Sequence, residues 1–309
     1  MTLKIGVIGT GEMGQHHARI YRQNKNTDLA GIADINEERA QELAKKYDTQ
    51  AYTNHTALLK SGLDAVSIAV PTKLHKKIAL EAIEQGTHVL LEKPIADTLE
   101  NADEIIKKAE EKKIKLLVGH IERFNPAVQA FKKKQDLLGK IVSISARRVG
   151  PYNPRIRDVG IITDLSVHDI DVMSYIYDEQ VQSVHAYAGS ITHKFEDYAS
   201  ILLGFNNGNA GTIQTNWLTP HKVRKLTITG TEGIAYVDYI KQKVKFFTDK
   251  GFQLIRLEKR EPLRNEIEHF IDCIINDKKP IVGGVQGKHA LQVALAAVES
   301  YKNNKVIPL

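Results

Sequence analysis

The sequence is poor in cysteine, with Cys273 the one cysteine among 309 residues. A single thiol forms no intrachain disulfide and no thiolate metal cluster, which excludes disulfide-stapled domains and cysteine-rich zinc modules. Cys273 lies in the apolar helical stretch 270–275 and is predicted to be a core residue. No metal site is predicted from the remaining residues.

Long apolar runs and a strong excess of one charge are also missing. The sequence contains no run of 18 apolar residues, the length needed to span a bilayer. Residues 3–8 resemble a strand rather than a secretion leader. We therefore expect a cytoplasmic protein without membrane contacts. The net charge is only +6. The densest basic run, residues 132–134, is predicted to be a solvated helix face, so nucleic acid is not expected as a partner. A mild positive field favours an anionic small molecule.

A glycine motif follows the first predicted strand, residues 3–8, and precedes the helix-like stretch 16–22. Gly9 permits a tight turn, Gly11 lets the backbone approach a pyrophosphate, and Gly14 lets the helix pack closely on the strand. The helix N-terminus adds amide donors and a partial positive charge. The motif predicts a dinucleotide site made of Gly9, Thr10, Gly11, Glu12, Met13 and Gly14.

The second predicted strand, residues 28–33, ends at Asp34, 20 residues after Gly14. A carboxylate at that strand end is suited to accept hydrogen bonds from the adenosine ribose and would repel a 2′-phosphate. We therefore expect NAD as the cofactor rather than NADP. The alternative, that Asp34 caps the helix at 37–46, is compatible with this role.

The order of predicted elements indicates two domains. Strands and helices alternate through residues 1–120, which predicts a parallel, doubly wound Rossmann sheet. After residue 140 several strands follow one another through short turns, which predicts an α/β domain with a large, mostly antiparallel, open sheet. We expect an NAD-binding domain at 1–120 and a substrate-binding and oligomerisation domain at 121–309, with the last helix a candidate to pack back on the first domain.

A charged tripeptide ends the predicted strand at 88–91: Glu92, Lys93 and Pro94. Parallel strands deliver their last side chains to the carboxyl edge of the sheet, where open α/β folds bind ligands. Proline biases Lys93 toward an extended backbone and so directs its ammonium group. The alternative interpretation is a solvated Glu-Lys turn.

A second group of chemically active residues lies on a helix predicted from Asp164 to Tyr177. On an α-helix Asp164, His168 and Asp171 share one face. Histidine is the side chain most easily poised as a proton carrier near neutral pH, and a carboxylate one turn away can orient its ring. The alternatives are a capped helix with an exposed histidine, or a metal site, for which the ligand set is thin.

Together these residues resemble the Gfo/Idh/MocA oxidoreductase family over essentially the whole chain. The resemblance rests on Gly9-x-Gly11-x-x-Gly14, Pro71-Thr72-x-x-His75, Glu92-Lys93-Pro94, Arg123-Phe124-Asn125-Pro126 and Asp164-x-x-x-His168-x-x-Asp171. It implies a C-terminal sheet that forms dimer or tetramer contacts. One departure is Ile161-Ile162, where Gly-Gly is common in the family, and this leaves the shape of the substrate pocket open.

The resemblance also implies roles for individual residues. Lys93 would bridge nicotinamide and substrate, His168 would be the acid/base, and Asp164 would hold the sugar or the histidine. The cofactor site would further include Val70, Pro71, Thr72, His75 and Glu92. The family pattern also favours a cis bond between Lys93 and Pro94.

The predicted reaction is NAD-dependent oxidation of a secondary hydroxyl on a sugar or sugar nucleotide. Residues 119–126 and 164–171 are most similar to the branch that oxidises UDP-N-acetylglucosamine at C3. Candidate substrate contacts beyond Lys93, Asp164 and His168 are Tyr152 and three arginines, Arg123, Arg155 and Arg157, whose guanidinium groups match phosphate oxygens. The alternative for each arginine is a surface ion pair. A dehydrogenase of free polyols such as inositol and a non-catalytic NAD-binding regulator remain alternatives.

Overall fold

The computed structural model describes residues 2–154 and 159–309. The chain forms two compact units, one of Met1–His120 with Leu263–Lys288 and the other of Ile121–Pro262 with His289–Leu309. Each unit is built on its own sheet, as the α/β fold prediction required, and that prediction is confirmed.

The first unit contains a six-stranded parallel sheet. Its strands are β1 (Leu3–Ile8), β2 (Thr27–Ala33), β3 (Gln50–Tyr52), β4 (Ala65–Ile68), β5 (His88–Glu92) and β6 (Leu116–Gly119). Its helices are α1 (Glu12–Gln23), α2 (Glu37–Tyr47), α3 (His55–Leu59), α4 (His75–Glu84), α5 (Leu99–Glu111) and α8 (Pro262–Ile275). The strand order β3-β2-β1-β4-β5-β6 is that of dinucleotide-binding sheets, which bind ligands at the carboxyl ends of their strands.

The second unit contains a nine-stranded mixed sheet. Its strands are β7 (Ile141–Pro151), β8 (Ser183–Gly189), β9 (Tyr198–Gly204), β10 (Ala210–Asn216), β11 (Leu218–Gly230), β12 (Gly233–Asp238), β13 (Lys243–Thr248), β14 (Gly251–Ile255) and β15 (Ile307–Pro308). The strand order is β14-β13-β12-β11-β7-β10-β9-β8-β15, with β7 and β10 the parallel pair. The helices α6 (Pro126–Lys134), α7 (Val167–Tyr177) and α9 (Gly284–Asn303) complete the list.

Side-chain alternation gives this sheet two different faces. One face contributes to a buried core that also contains residues of all three helices, such as Phe131, Ile170 and Val293. The opposite face exposes large apolar side chains. These are Tyr187, Leu202, Tyr236, Phe247, Phe252 and Leu254, which we call the outer patch.

The structure differs from the expected contiguous second domain of residues 121–309, because 263–288 groups with the first unit. The amide of Val118 in β6 donates to the carbonyl of Val282 over 3.1 Å. A Cβ on Gly287 would lie 2.8 Å from the Val118 side chain, so this glycine permits a close approach to the strand. Hydrogen bonding and packing against β6 thus hold the returning segment.

The predicted helix from Asp164 to Tyr177 is not one regular α-helix. A π-helical turn at Ile162–Ser166 precedes α7. A π turn holds more residues per turn than an α-helix, so the i, i+4, i+7 spacing no longer places three side chains on one face, and such turns are frequent at functional sites. Cys273 is buried, as predicted. No helix among the described residues is long and apolar enough to span a membrane.

Candidate functional site

The glycine turn between β1 and α1 has the geometry that a dinucleotide site requires. Gly9 has a φ of +94°, and a Cβ on Gly14 would lie only 1.8 Å from the Gly9 carbonyl oxygen, so both positions exclude larger residues. Among the described residues, no heavy atom outside its chain neighbours and helix lies within 4 Å of a Cβ built on Gly11. Gly11 caps α1, so this open space lies at a helix N-terminus, where a pyrophosphate is stabilised.

Asp34 follows β2 and is hydrogen-bonded to the glycine turn. The amide and the hydroxyl of Thr10 each donate to Oδ2 over 2.7 Å, and the Asn36 amide donates to Oδ1 over 2.8 Å. Burial opposes ionisation, but these donors and Arg39 hold the pKa of Asp34 below its ordinary value. The carboxylate is therefore charged where a 2′-phosphate would need a cation, which fits NAD.

The alternative role of Asp34 as helix cap is taken by its neighbour Asn36, whose Oδ1 accepts from the Arg39 amide over 2.9 Å at the start of α2. Of the other residues predicted for the glycine turn, Thr10 is buried, Glu12 is exposed and Met13 is half-buried at the start of α1. The donors of Thr10 are engaged by Asp34, so its role is to fix the turn.

Glu92, at the end of β5, is the last member of a buried hydrogen-bonded chain that the sequence did not reveal. Tyr21 Oη lies 2.8 Å from Ser67 Oγ, which lies 2.9 Å from His17 Nδ1. His17 Nε2 lies 3.1 Å from Glu92 Oε1. Burial opposes the charge of Glu92, but the hydrogen bond to His17 and the electrostatic attraction of His17 and Lys93 keep its pKa below the ordinary value. An ionised carboxylate thus lies next to Lys93 in the chain.

His75 connects the ends of β4 and β5. Its Nδ1 lies 2.9 Å from the Pro94 carbonyl oxygen and its Nε2 lies 3.0 Å from the Val70 carbonyl oxygen. Burial lowers the pKa of His75, so the neutral ring donates to one of the two carbonyls at a time. The Lys93–Pro94 bond is cis, as the family pattern favoured. Pro71 and Thr72 lie between these contacts, with Thr72 at the start of a 3₁₀ turn.

In the second unit, Asp164 lies in the π turn and His168 in the first turn of α7, and both are half-buried. Asp171 instead forms an ion pair with Arg123. Its two oxygens accept from Nε and Nη2 of Arg123, both over 2.7 Å, and this pair is almost fully buried. The prediction that Asp164, His168 and Asp171 share one face of a regular helix is therefore corrected. The π turn changes the spacing before α7, and Asp171 is held in an ion pair with Arg123.

The same pair corrects the assignment of Arg123 to a substrate diphosphate. The Arg123 guanidinium binds Asp171 at two points and also covers the ring of Tyr175, 4.9 Å from its centroid. Its side chain is 7% exposed and its charge is already paired with a buried carboxylate, so it offers little surface to a diphosphate. Arg155 and Arg157, the other two predicted phosphate contacts, lie outside the described residues.

A second buried ion pair joins β7 to α7. Nε and Nη2 of Arg148 donate to the two oxygens of Asp169 over 2.7 and 3.1 Å, and Nη1 donates to Glu122 over 2.9 Å. Tyr239 adds its hydroxyl to Asp169 over 3.3 Å, and its ring lies 5.0 Å from the guanidinium carbon. Asp169 lies within the His168 motif and so could be noticed in the sequence. Its partner Arg148 could be identified only from the fold.

Tyr152, a predicted substrate contact, belongs to an aromatic cluster at the end of β7. Its hydroxyl lies 3.0 Å from His193 Nε2, and its ring lies 5.3 Å from the ring of Trp217. His193 meets Trp217 edge-on at 5.1 Å. Trp217 is buried and Tyr152 is half-buried, so Tyr152 is the more accessible of these two rings.

Within the first unit, the structure thus links Thr10 to Asp34, and Val70 to His75 and Pro94. In the second unit it places Asp164 and His168 on consecutive turns and withdraws Asp171 and Arg123 into the core. No group of three or more potential metal ligands is found in ranges 2–154 and 159–309. The donor set of the first unit, an open glycine turn and a charged Asp34, fits a dinucleotide.

Comparison with known proteins agrees with this description. Residues 3–120 match the family model described as oxidoreductase family, NAD-binding Rossmann fold, and residues 133–236 match the GFO/IDH/MocA C-terminal domain. UDP-N-acetylglucosamine 3-dehydrogenase of Acidithiobacillus ferrooxidans is 32% identical, covering 97% of this chain and 98% of that protein. A crystal structure under the same name matches with a TM-score of 0.92 at 31% identity, covering 98% and 99% of the two chains.

A second relative is scyllo-inositol 2-dehydrogenase (NAD(+)) of Bacillus subtilis, 27% identical over 99% of this chain and 96% of that protein. The resemblance inferred from the motifs is confirmed, as are the NAD cofactor and the oxidoreductase class. With both of its domains matched and a relative above 30% identity along nearly its full length, the chain belongs to the Gfo/Idh/MocA family of oxidoreductases.

Proposed function

We propose that the protein oxidises a secondary hydroxyl of a sugar nucleotide with NAD, and that its substrate is UDP-N-acetylglucosamine, converted to the 3-keto sugar. The observation that carries this proposal is the full-length similarity to a UDP-N-acetylglucosamine 3-dehydrogenase, 32% identical over 97% of the chain. Relatives named as inositol dehydrogenases are 26 to 27% identical over comparable lengths.

The cofactor residues follow from the first unit. The open backbone at Gly11 and the α1 N-terminus would hold the pyrophosphate, and charged Asp34 would hold the ribose. The strand ends at Val70–Thr72 and Glu92–Lys93 would border the nicotinamide. When bound, NAD supplies the hydride acceptor for the oxidation.

The remaining steps belong to side chains of this protein. His168 accepts the proton of the reacting hydroxyl, and Asp164, four residues earlier, orients the imidazole or the sugar. The Lys93 ammonium stabilises the developing alkoxide charge, an electrostatic effect worth roughly 3 kcal/mol in comparable sites. The half-buried positions of Asp164 and His168 on consecutive helical turns support this assignment, because part of each side chain remains accessible.

A free-polyol dehydrogenase of the inositol type is the second candidate. The whole-length similarity to inositol dehydrogenases favours it, and it requires no diphosphate contact. The withdrawal of Arg123 into an ion pair removes one argument for the sugar nucleotide and makes this alternative worth testing.

One assay separates the candidates. The purified protein is incubated with NAD and, in turn, UDP-N-acetylglucosamine, other UDP-sugars, inositol and glucose, and NADH is followed by its absorbance. NADH formation with UDP-N-acetylglucosamine above all others supports the proposal. Activity with inositol or glucose alone replaces it by the second candidate.

We also propose that the protein is a homodimer or homotetramer that associates through the outer patch. Tyr236, Phe247 and Phe252 form a ladder of exposed rings across β12, β13 and β14, with neighbouring centroids 5.8 and 5.0 Å apart. Exposed apolar patches of this kind mark protein interfaces. The family resemblance implies the same surface.

A further inference from the structure

Arg224 differs from the two buried arginines of the second unit. The guanidinium groups of Arg123 and Arg148 are buried and each binds a carboxylate at two points. Arg224, on β11, has a side chain that is 35% exposed, and its ion pair is a single contact of 3.7 Å between Nη1 and Oε1 of Glu122. No other acidic group in the described part of the chain lies within ion-pair distance of it.

The acidic groups near Arg224 are already engaged by other donors. Oε1 of Glu122 accepts from Arg148 over 2.9 Å, and Oε2 accepts from Asn125 over 3.1 Å. Both oxygens of Asp169 are bonded to Arg148. A guanidinium carries five N–H donors, so Arg224 retains most of its donor capacity.

The strand register places Arg224 on the inner side of the sheet. Arg224 pairs with Arg148 across β11 and β7, so the two side chains project from the same face, the face that meets α7 through Asp169. Burial, followed by repulsion from Arg148, lowers the pKa of Arg224, while Glu122, Asp169 and Asp164 partly oppose this. Asp164 thus attracts Arg224 electrostatically, and Asp164 belongs to the turn that carries the proposed catalytic residues.

We propose that Arg224 is a specificity-determining residue that binds the diphosphate of the sugar-nucleotide substrate through its unused N–H donors. This inference rests on the proposed function for the identity of the substrate. A phosphate group would supply the two-point acceptor that Glu122 does not, and an anion would relieve the repulsion from Arg148. Arg224 therefore takes the role that Arg123 was predicted to have.

The test uses the variant Arg224→Met and, as a matched control, Arg256→Met, which removes an exposed arginine of the same unit. Binding of UDP and of NAD is measured by calorimetry, and turnover of UDP-N-acetylglucosamine is measured with saturating NAD. We expect R224M to raise the Kd of UDP and the KM of the sugar nucleotide by about 10- to 100-fold, as for loss of a charged hydrogen bond. The Kd of NAD, and all values for R256M, should stay near those of the wild type.

The outcomes separate this inference from the proposed function. If the wild type binds UDP and R224M binds it equally well, Arg224 is not the diphosphate ligand, whatever the turnover. Weaker NAD binding in R224M would assign the arginine to the cofactor phosphates and overturn the inference. If the wild type binds UDP through Arg224 but oxidises no UDP-sugar, the inference stands and the proposed reaction fails. If the wild type does not bind UDP, the inference fails, and turnover of UDP-N-acetylglucosamine decides the proposed function by itself.

Loss of fold is controlled separately. The thermal midpoint of R224M is compared with that of R256M, and no large difference is expected because the ion pair of Arg224 within the described part of the chain is a single contact of 3.7 Å. If R224M does not fold, Arg224→Lys takes its place in the UDP measurement. Lysine keeps the charge but not the planar pair of donors, so UDP binding should still weaken.

Discussion

Thr10 and Asp34 are joined by two hydrogen bonds of 2.7 Å, from the amide and the hydroxyl of Thr10 to one carboxylate oxygen. This contact connects the glycine turn after β1 to the end of β2, the two elements that we propose hold the pyrophosphate and the ribose. It also keeps Asp34 ionised, since donors to a carboxylate lower its pKa. The side chain that we propose selects the cofactor therefore also holds the turn in place.

Replacing Asp34 by alanine should weaken NAD binding and reduce discrimination against NADP, because both the ribose acceptor and the repelling charge are lost. We expect the ratio of the NADP Kd to the NAD Kd to fall about tenfold or more, as for a charged hydrogen bond. Thr10→Val is the matched control, because it removes one bond to Asp34 and keeps the carboxylate. D34A that rejects NADP as strongly as the wild type would contradict this role.

Replacing His168 by alanine should lower kcat by about 10²- to 10⁴-fold, the usual contribution of a general base, and leave the Kd of NAD nearly unchanged. His55→Ala is the control, because His55 pairs with Glu81 between α3 and α4 and takes no part in the proposed chemistry. Stopped-flow absorbance gives kcat and calorimetry gives the Kd. Near-normal turnover in H168A would remove His168 from the mechanism.

Replacing Lys93 by methionine should lower kcat by about 10²- to 10³-fold, because the ammonium that stabilises the alkoxide is lost. Methionine keeps an unbranched side chain of similar length, so the strand end is disturbed little. Lys60→Met, at an exposed lysine after α3, should behave as the wild type. Equal kcat values for K93M and K60M would show that Lys93 does not stabilise the alkoxide.

The buried carboxylate of Glu92 should make stability depend on pH. Its folded-state pKa lies below the ordinary value, so it stabilises the fold above the unfolded-state pKa, and this contribution is lost as pH falls through the folded-state pKa. Glu92→Gln should therefore cost stability at pH 7 and progressively less at acidic pH. Urea unfolding of E92Q, with Asp28→Asn as an exposed control, measures this difference; a difference that is constant with pH would contradict it.

Arg148 should be a large contributor to the stability of the second unit. Arg148→Met leaves Asp169 and Glu122 as buried carboxylates without their main donor, so we expect a loss of about 3–5 kcal/mol in the free energy of unfolding. Arg256→Met, at an exposed arginine, should change it by less than about 0.5 kcal/mol. Denaturant unfolding measures both, and a loss below about 1 kcal/mol in R148M would show that the network relaxes.

Several features of the protein followed from the sequence by itself. Gly9, Gly11 and Gly14, the apolar strand before them and Asp34 after β2 predicted the dinucleotide site, because these signals are local and depend on backbone sterics and strand ends. The alternation of strands and helices predicted the parallel sheet for the same reason. Short elements such as β3 and β15 were missed, since two or three residues carry too little periodicity.

Only the tertiary structure showed which charged residues are held in buried ion pairs. Arg123 meets Asp171 across 48 positions, and Glu92 meets His17 across 75. No pattern in the chain predicts such pairs, because they depend on which elements pack together and on how deeply each group is buried. An arginine in a motif therefore looked like a phosphate ligand until burial and a two-point carboxylate showed a structural ion pair. Arg224, outside every motif, kept its donors because the carboxylates beside it were already bonded to Arg148.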